Sequence, residues 1–243
     1  MKSFFNKSLK ILFIFLCSCS NSVSLIDNNK NKYDKKIVLF GDSHSYGSGL
    51  LSITWADIVF KTLFNRETQK NYDSDFNLKY FLDNQAMGGS KFDSKHQFLR
   101  IMNYDFKKED IVLMLLGFND VVYNGTDSLK LELFSSQLKI ALDKIEKTGS
   151  KVYIGGCIKV PDIVYENMKQ NGISVGVDIS HGSKEACDLY SNAINEASKD
   201  RINVTFIDVN NLIQISIDDL IDGVHFKFSS HEKIANSFLD KIK

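Results

Sequence analysis

The chain has 243 residues, of which 43% are hydrophobic and 25% are charged, a balance typical of one folded domain and unlike that of disordered or collagen-like chains. Thirty lysine and arginine residues balance thirty aspartate and glutamate residues, so no whole-chain positive field exists to bind nucleic acid. The four cysteines lack the paired spacing of a structural zinc site and are too few for a disulfide scaffold.

The first segment has the pattern of a secretory signal peptide. Three lysines precede an apolar run at residues 11–16, and no acidic residue occurs before Asp27. The run is less than half of the roughly 20 residues that a membrane-spanning helix needs. We therefore predict that residues 1–18 are a signal peptide and that the protein is exported.

The stretch Leu16-Cys17-Ser18-Cys19 resembles the bacterial lipobox, in which a small residue precedes a cysteine that is lipidated and becomes the new N-terminus. This resemblance implies that Cys19 is a lipid anchor in the membrane and that the protein is a periplasmic or cell-surface lipoprotein. A plain signal peptide, giving a secreted protein, is the alternative. Residues 19–35 are polar and lack apolar periodicity, which predicts a flexible tether before a domain over residues 36–243.

Five short apolar runs predict buried strands; they span residues 37–40, 78–82, 111–116, 151–157 and 204–209. Helical periodicity occurs between them at residues 128–147, 183–199 and 229–242, with Ser183 and Ser229 as candidate N-caps. Such alternation predicts right-handed crossovers and a three-layer α/β/α domain around a parallel sheet.

The predicted fold also indicates where to look for function, because ligands of such sheets bind at the carboxyl ends of the strands. The stretch at residues 158–182 contains Pro161, Gly172 and Gly176. It is far longer than the usual connection of about 2 to 6 residues. We predict that it forms a lid or a pocket wall.

A nucleophile candidate follows the first predicted strand. Residues 41–49 read GDSHSYGSG, and a serine in a glycine-flanked turn between strand and helix holds its hydroxyl outward. Ser43 is therefore the candidate. A phosphate-binding loop is the rival interpretation, but neither GxxxxGK[ST] nor GxGxxG is present.

Candidate donors for an oxyanion follow the next two strands. Residues 84–90 read NQAMGGS, where paired glycines allow a free backbone N–H to approach an oxyanion. Residues 117–120 read GFND, and the Asn119 side chain can supply a second donor. Either segment alone is equally compatible with an ordinary turn.

A candidate base lies near the C-terminus, where residues 222–226 read DGVHF. Asp222 is three residues before His225, a spacing that lets the carboxylate fix the imidazole tautomer and stabilise the imidazolium. A metal site is not predicted, because the remaining histidines show no ligand spacing. Three of them, His96, His181 and His231, are expected to be surface or capping residues.

Together, the four blocks GDSHSYG, NQAMGGS, GFND and DGVHF resemble, in this order, those of the SGNH or GDSL-type hydrolase superfamily, over about residues 36–243. The resemblance implies a flavodoxin-like sheet of about five parallel strands and, without a cofactor, hydrolysis of esters or acyl transfer. It implies that Ser43 is the nucleophile, that His225 is the base and that Asp222 orients it. It also implies an oxyanion hole formed by Ser43, Gly89 and Asn119.

Three residues depart from the family pattern. His44 stands where the GDSL name has leucine, Ala86 where the second block often has glycine, and Gly88 where it often has serine. The pair Gly88–Gly89 leaves two candidate N–H donors, and the register from Asn84 favours Gly89. We expect the His44 side chain to point away from Ser43.

The predicted function is that of an exported serine esterase that hydrolyses short acyl or O-acetyl esters of small molecules or glycans through a covalent acyl-enzyme. An O-acyltransferase with the same triad, an inactive binding lipoprotein and a flavin-binding domain are the alternatives. The sequence does not define the oligomeric state, nor whether Cys157 and Cys187 are paired.

Overall fold

The computed structural model describes residues 35–47, 53–70, 80–179 and 181–242. The predicted signal peptide, the Cys19 anchor and nearly all of the predicted tether lie outside the described residues. No helix within those four ranges is both long and apolar enough to cross a membrane.

Five parallel strands form a single sheet, as the apolar runs predict. The strands are β1 (Lys35–Gly41), β2 (Tyr80–Asn84), β3 (Ile111–Leu115), β4 (Lys151–Gly155) and β5 (Val204–Ile207). Their order is β2-β1-β3-β4-β5, so the chain first moves outward from β1 and then returns to its other side. This reversal creates a switch point between β1 and β3, where ligands of doubly wound sheets bind.

Helices cover both faces of the sheet. They are α1 (Ser43–Tyr46), α2 (Trp55–Lys70), α3 (Gln97–Asn103), α4 (Phe118–Asn124), α5 (Ser128–Glu146), α6 (Asp162–Val175), α7 (Lys184–Ser198), α8 (Val209–Leu212) and α9 (Phe228–Leu239), with a 3₁₀ turn at Ile217–Asp219. Helix α2 packs with α9, whereas α5 packs with α3 and α7. Right-handed crossovers place these two groups on opposite faces, which gives the predicted three-layer α/β/α fold.

The core is built from the strand interiors and the inner faces of the helices. The side chains of 37–40 and 112–114 are fully buried, because a parallel sheet is covered on both faces. Trp55 at the start of α2 is also fully buried. The sheet edge that carries the candidate site is thus anchored by an apolar interior.

Of the two predicted N-caps, one is confirmed and one is wrong. The hydroxyl of Ser183 accepts a hydrogen bond from the N–H of Ala186 at 3.0 Å, as an N-cap does. Ser229 instead lies inside α9, whose N-cap is Lys227. The N–H of Lys227 donates to the carbonyl of Asp219, and this bond fixes the start of the helix earlier than the serine suggests.

The long segment at residues 158–182 contains a helix that the sequence analysis missed. Helix α6 is preceded by Pro161 and ends at Gly176, which is left-handed; these residues mark the helix ends. The Tyr165 ring packs on Phe118 of α4 at 6.4 Å between centroids. In the described residues the segment is a packed wall beside α4.

Candidate active site

The turn between β1 and α1 presents Ser43. Asp42 is the N-cap of α1, and its carboxylate accepts a hydrogen bond from the N–H of His44 at 2.9 Å. A Cβ at Gly41 would lie 2.4 Å from the hydroxyl oxygen of Ser45, so only glycine fits there. The chain must therefore leave β1 sharply, and Ser43 becomes the first residue of α1, half-buried at the sheet edge.

Asp222 and His225 form a hydrogen-bonded pair. One oxygen of Asp222 lies 2.7 Å from Nδ1 of His225, and the other accepts the backbone N–H groups of Val224 and His225 at 3.1 and 2.7 Å. Burial raises the pKa of Asp222, but these hydrogen bonds outweigh burial and hold the pKa well below its ordinary value. Because an ionised carboxylate only accepts, Nδ1 carries a proton, and in a neutral imidazole of this tautomer the lone pair lies on Nε2.

A tight loop holds this pair in place. The N–H of Ile221 donates to the carbonyl of His225 at 2.8 Å, and Leu220 and Phe226 form an antiparallel bridge across the loop. The backbone therefore folds back on itself around Asp222. This explains how an irregular chain with only two intervening residues brings the carboxylate beside the imidazole.

Ser43 and His225 line the same small cavity, although they lie at opposite ends of the domain sequence. Its volume is about 10 Å³, close to the space that one water molecule needs. The other walls come from His44, Gly47, Ile221, Phe226 and His231. The fold thus brings the candidate nucleophile and the candidate base to one pocket.

The glycine pair of the second block lies beside Ser43. A turn at residues 87–90 is hydrogen-bonded through its first N–H to the carbonyl of Gly41 at 2.9 Å. Gly89 has φ +70°, the third-position conformation that favours glycine in a type II turn. A Cβ built on Gly88 would lie 4.0 Å from the Cβ of Ser43. Gly88 is therefore near the nucleophile, and Gly89 follows it in the same turn.

Asn119 ties the second block to the third. It lies near the start of α4, and its Nδ2 donates to the carbonyl of Ser90 at 3.1 Å. A carboxamide NH₂ has two hydrogens, so the second remains for another acceptor. Next to it, the Asp120 carboxylate accepts the N–H of Phe92 at 3.0 and 3.2 Å. Burial raises the pKa of Asp120 to about 7.

His44 lies in the wall of the cavity that Ser43 also lines. Its buried ring stacks on Phe226 at 4.2 Å and meets Phe118 edge-on at 4.8 Å between centroids. Neither ring nitrogen has a hydrogen-bond partner among the described residues. Burial lowers the pKa of His44 well below its ordinary value, so the ring is neutral.

His231 is buried and not a surface residue, but the capping role that was the other expectation is confirmed, because it accepts the N–H of the first residue of α2. It is 5% exposed and lines the same cavity, where its Nδ1 accepts the backbone N–H of Trp55 at 3.2 Å. Burial lowers the pKa of His231 to about 4. The apolar residues of α9 three, four and seven positions later are buried with it, and this stripe could have revealed its position.

Two cysteines are buried near the site. Cys157 follows β4, and a Cβ on Gly117 would lie 3.4 Å from its Cβ. The Cys187 thiol donates to the carbonyl of Cys157 at 3.0 Å, and both cysteines are free thiols. Among the described residues, no group of three or more histidine, cysteine or acidic side chains is arranged to hold a metal ion.

The three-layer α/β/α fold and these blocks together define a hydrolase of the SGNH type. The chain belongs to the GDSL-like lipase/acylhydrolase family, whose sequence profile matches residues 37–238. It is accordingly a carboxylic ester hydrolase. None of the curated proteins compared with the chain matches it.

Solved structures of esterases share the fold. The acetylxylan esterase Axe2 from Geobacillus stearothermophilus is 18% identical with a TM-score of 0.57, and the alignment covers 85% of this chain and 93% of that chain. TesA is 16% identical with a TM-score of 0.56, covering 86% and 98%. A member of the lipolytic G-D-S-L family from Veillonella parvula DSM 2008 is 16% identical with a TM-score of 0.55, covering 85% and 97%. At these identities the similarity shows the fold alone.

Proposed function

We propose that the protein is an exported serine esterase that hydrolyses short acyl esters with Ser43 as nucleophile, His225 as base and Asp222 as its orienting acid. Two observations carry the proposal together. The carboxylate of Asp222 lies 2.7 Å from Nδ1 of His225, and His225 lines the same cavity as Ser43. The site lies at the switch point of the sheet, where ligands of this architecture bind.

In the acylation step, the oxygen of Ser43 attacks the ester carbonyl carbon as its proton moves to Nε2 of His225. The positive imidazolium that results is stabilised by the carboxylate of Asp222. Collapse of the tetrahedral intermediate breaks the bond to the alcohol oxygen, which takes the proton from His225. The alcohol leaves, and the acyl group stays on Ser43.

In the deacylation step, water attacks the acyl carbon and gives one proton to His225. The bond to Ser43 breaks, its oxygen recovers that proton, and the carboxylic acid departs. In both steps the carbonyl oxygen becomes negative. We assign its stabilisation to the backbone N–H groups of Ser43 and Gly89 and to the second amide hydrogen of Asn119.

The size of the catalytic cavity and a structural relative support a proposal on the substrate class. A volume of about 10 Å³ beside Ser43, closed by the rings of His44 and Phe226, favours a small acyl group such as acetyl. Axe2, which shares the fold, is an acetylxylan esterase. We therefore propose O-acetyl esters, including those of glycans, as substrates.

Hydrolysis of p-nitrophenyl acetate, butyrate and octanoate tests this proposal. The purified protein is expected to prefer acetate, and Ser43→Ala is expected to lose turnover and labelling by a fluorophosphonate probe. Ser174→Ala is the control, because Ser174 is exposed on α6. Turnover or labelling retained in Ser43→Ala would exclude Ser43, and a preference for octanoate would contradict the small acyl group. Acyl transfer to added sugar acceptors in place of acid release would favour the O-acyltransferase alternative.

We also propose that the protein is a lipoprotein anchored through Cys19, which lies outside the described residues. Its support is the lysine-rich start, the short apolar run and the lipobox-like sequence. The expected result is a lipid-modified N-terminal Cys19 in the membrane fraction, identified by mass spectrometry. Cys19→Ser should release the protein from the membrane. An unmodified N-terminus after residue 18 or 20 in the native protein would refute the anchor.

A further inference from the structure

A second and much larger cavity opens where α4 meets α5. Its volume is about 310 Å³, against about 10 Å³ for the catalytic cavity, and it reaches the lower end of the size range of small-molecule sites. Besides one glycine, it is lined by Tyr123, Asn124, Thr126, Asp127, Lys130 and His181. Nothing in the proposed acyl-transfer steps uses this cavity.

The chemistry of the lining indicates a polyhydroxylated ligand. Among the described residues, the lining contains no leucine, isoleucine, valine, methionine or phenylalanine, so an acyl chain would find little apolar surface there. Hydroxyl, carboxamide, carboxylate, ammonium and imidazole groups offer both donors and acceptors. The carboxylate of Asp127 and the ammonium of Lys130 balance each other in charge, which disfavours a strongly charged ligand such as a phosphate.

Some polar groups of the lining take part in hydrogen bonds within the fold, and others do not. One oxygen of Asp127 caps α5 by accepting the N–H groups of Leu129 and Lys130 at 2.9 and 3.2 Å. The hydroxyls of Tyr123 and Thr126, by contrast, are bonded to no other described residue. Sugar hydroxyls require this kind of group, since each both donates and accepts.

Two segments lead from the lining of this cavity towards the catalytic site: helix α4 and the chain that follows the turn at 87–90. Asn119 and Tyr123 are four residues apart on α4, hence on the same face and about 6 Å apart along the axis. The ammonium of Lys91 lies 5.3 Å from the centre of the Tyr123 ring. Lys91 directly follows the turn at 87–90 that packs beside Ser43. The cavity lining therefore begins one helical turn from Asn119, a candidate oxyanion donor.

We infer that the cavity between α4 and α5 is a carbohydrate subsite that binds a sugar ring of a glycan ester while the ester group lies at Ser43. The inference rests on the proposed function and extends it to the alcohol part of the substrate. The small catalytic cavity selects the acyl group, and the larger polar cavity selects the glycan.

Binding of unesterified oligosaccharides tests the subsite independently of catalysis. Cellotetraose and chitotetraose would be titrated into the full chain and their binding measured by calorimetry. Tighter binding of cellotetraose would indicate a site for a neutral hexose, and tighter binding of chitotetraose a site for an N-acetylated amino sugar. Thr126→Arg places a long side chain at the exposed cavity wall. Ser136→Arg makes the same change on an exposed position of α5 outside the lining. We expect at least one tetraose to bind, Thr126→Arg to weaken it tenfold or more, and Ser136→Arg to bind like the parent.

A kinetic measurement complements the titration. With partly O-acetylated forms of the same tetraoses, the ratio of their kcat/KM to that for p-nitrophenyl acetate should fall at least tenfold in Thr126→Arg and keep the parent value in Ser136→Arg. The subsite is refuted if neither tetraose binds, or if Thr126→Arg matches the parent in binding and in this ratio. If hydrolysis of p-nitrophenyl acetate does not depend on Ser43, the proposed function fails, whatever the titration shows.

Discussion

The carboxamide of Asn119 shows how one residue can serve both structure and catalysis. One of its hydrogens is committed to the carbonyl of Ser90 at 3.1 Å, which orients the group, and the second is available for an oxyanion. We expect Asn119→Ala to lower kcat for p-nitrophenyl acetate about 100 to 1000-fold, with a smaller change in KM. Loss of the bond to Ser90 should cost about 1 kcal/mol of stability. Steady-state kinetics and thermal unfolding measure the two effects.

A matched substitution separates catalysis from a general effect of removing an amide. Asn195 is exposed on α7, so Asn195→Ala should keep the parent kcat. If Asn119→Ala folds and turns over within twofold of the parent, Asn119 does not belong to the oxyanion hole.

The residue types of the site could be predicted because each falls in a short block, three of the four blocks directly following a strand. Asp222 and His225, for example, are three positions apart, and their pairing needs only local chain. The positions of His44 and His231 could not be predicted in this way. His44 packs on Phe118 and Phe226, and His231 binds the backbone of Trp55, all contacts that only the folded chain creates.

At the scale of elements, the junction between β1 and α1 controls the position of the nucleophile. A Cβ on Gly41 would lie 2.4 Å from the hydroxyl of Ser45 and 3.0 Å from the carbonyl oxygen of Leu115. The first contact lies in α1 and the second in β3, so neither neighbour can move freely. Any side chain at position 41 must therefore displace α1, which begins at Ser43.

We expect Gly41→Ala to lower kcat more than tenfold and to reduce the free energy of unfolding by about 1 to 3 kcal/mol, as overpacking does. Urea unfolding and steady-state kinetics measure both changes. Gly176→Ala is the control: Gly176 has φ +71° and nothing within 4 Å of its added Cβ. This control should lose about 1 to 2 kcal/mol through backbone strain alone and keep the parent kcat. An unchanged kcat in Gly41→Ala would show that α1 tolerates the displacement.

The elements themselves were predictable to different degrees. The strands were predicted from apolar runs, which are continuous in β1 and β3 because these central strands are buried on both faces. The run that predicted β2, an edge strand, is interrupted by Lys79 and gave a weaker signal. Helix α6 was missed because Pro161 and Gly176 suggested an irregular loop. Its buried residues Val164 and Tyr165 belong to a stripe that only becomes recognisable once the helix packs beside α4.

At the scale of the whole molecule, the buried ionisable groups near the site make stability depend on pH in opposite directions. Burial raises the pKa of Asp42 to about 6 and that of Asp120 to about 7. The unfolded chain ionises these groups first as pH rises above about 4, so stability falls progressively up to their folded pKa values and stays lower above them. Burial lowers the pKa of His44 and His231. The unfolded chain protonates them first as pH falls below about 6.5, so they lower stability in acid.

His231 gives a clear test of this balance because its pKa falls to about 4 in the folded protein. Its neutral form contributes stability that is complete above about pH 6.5 and is lost progressively as pH falls to about 4. Glutamine cannot be protonated but can accept the N–H of Trp55. The Tm of His231→Gln, relative to that of the parent, should therefore be several degrees higher at pH 4.5 than at pH 7.5. Asn192→Gln, a change at an exposed position that alters no titratable group, should show no such change. An equal Tm difference at both pH values would mean that His231 titrates alike in the folded and unfolded chains, and that its burial carries no electrostatic cost.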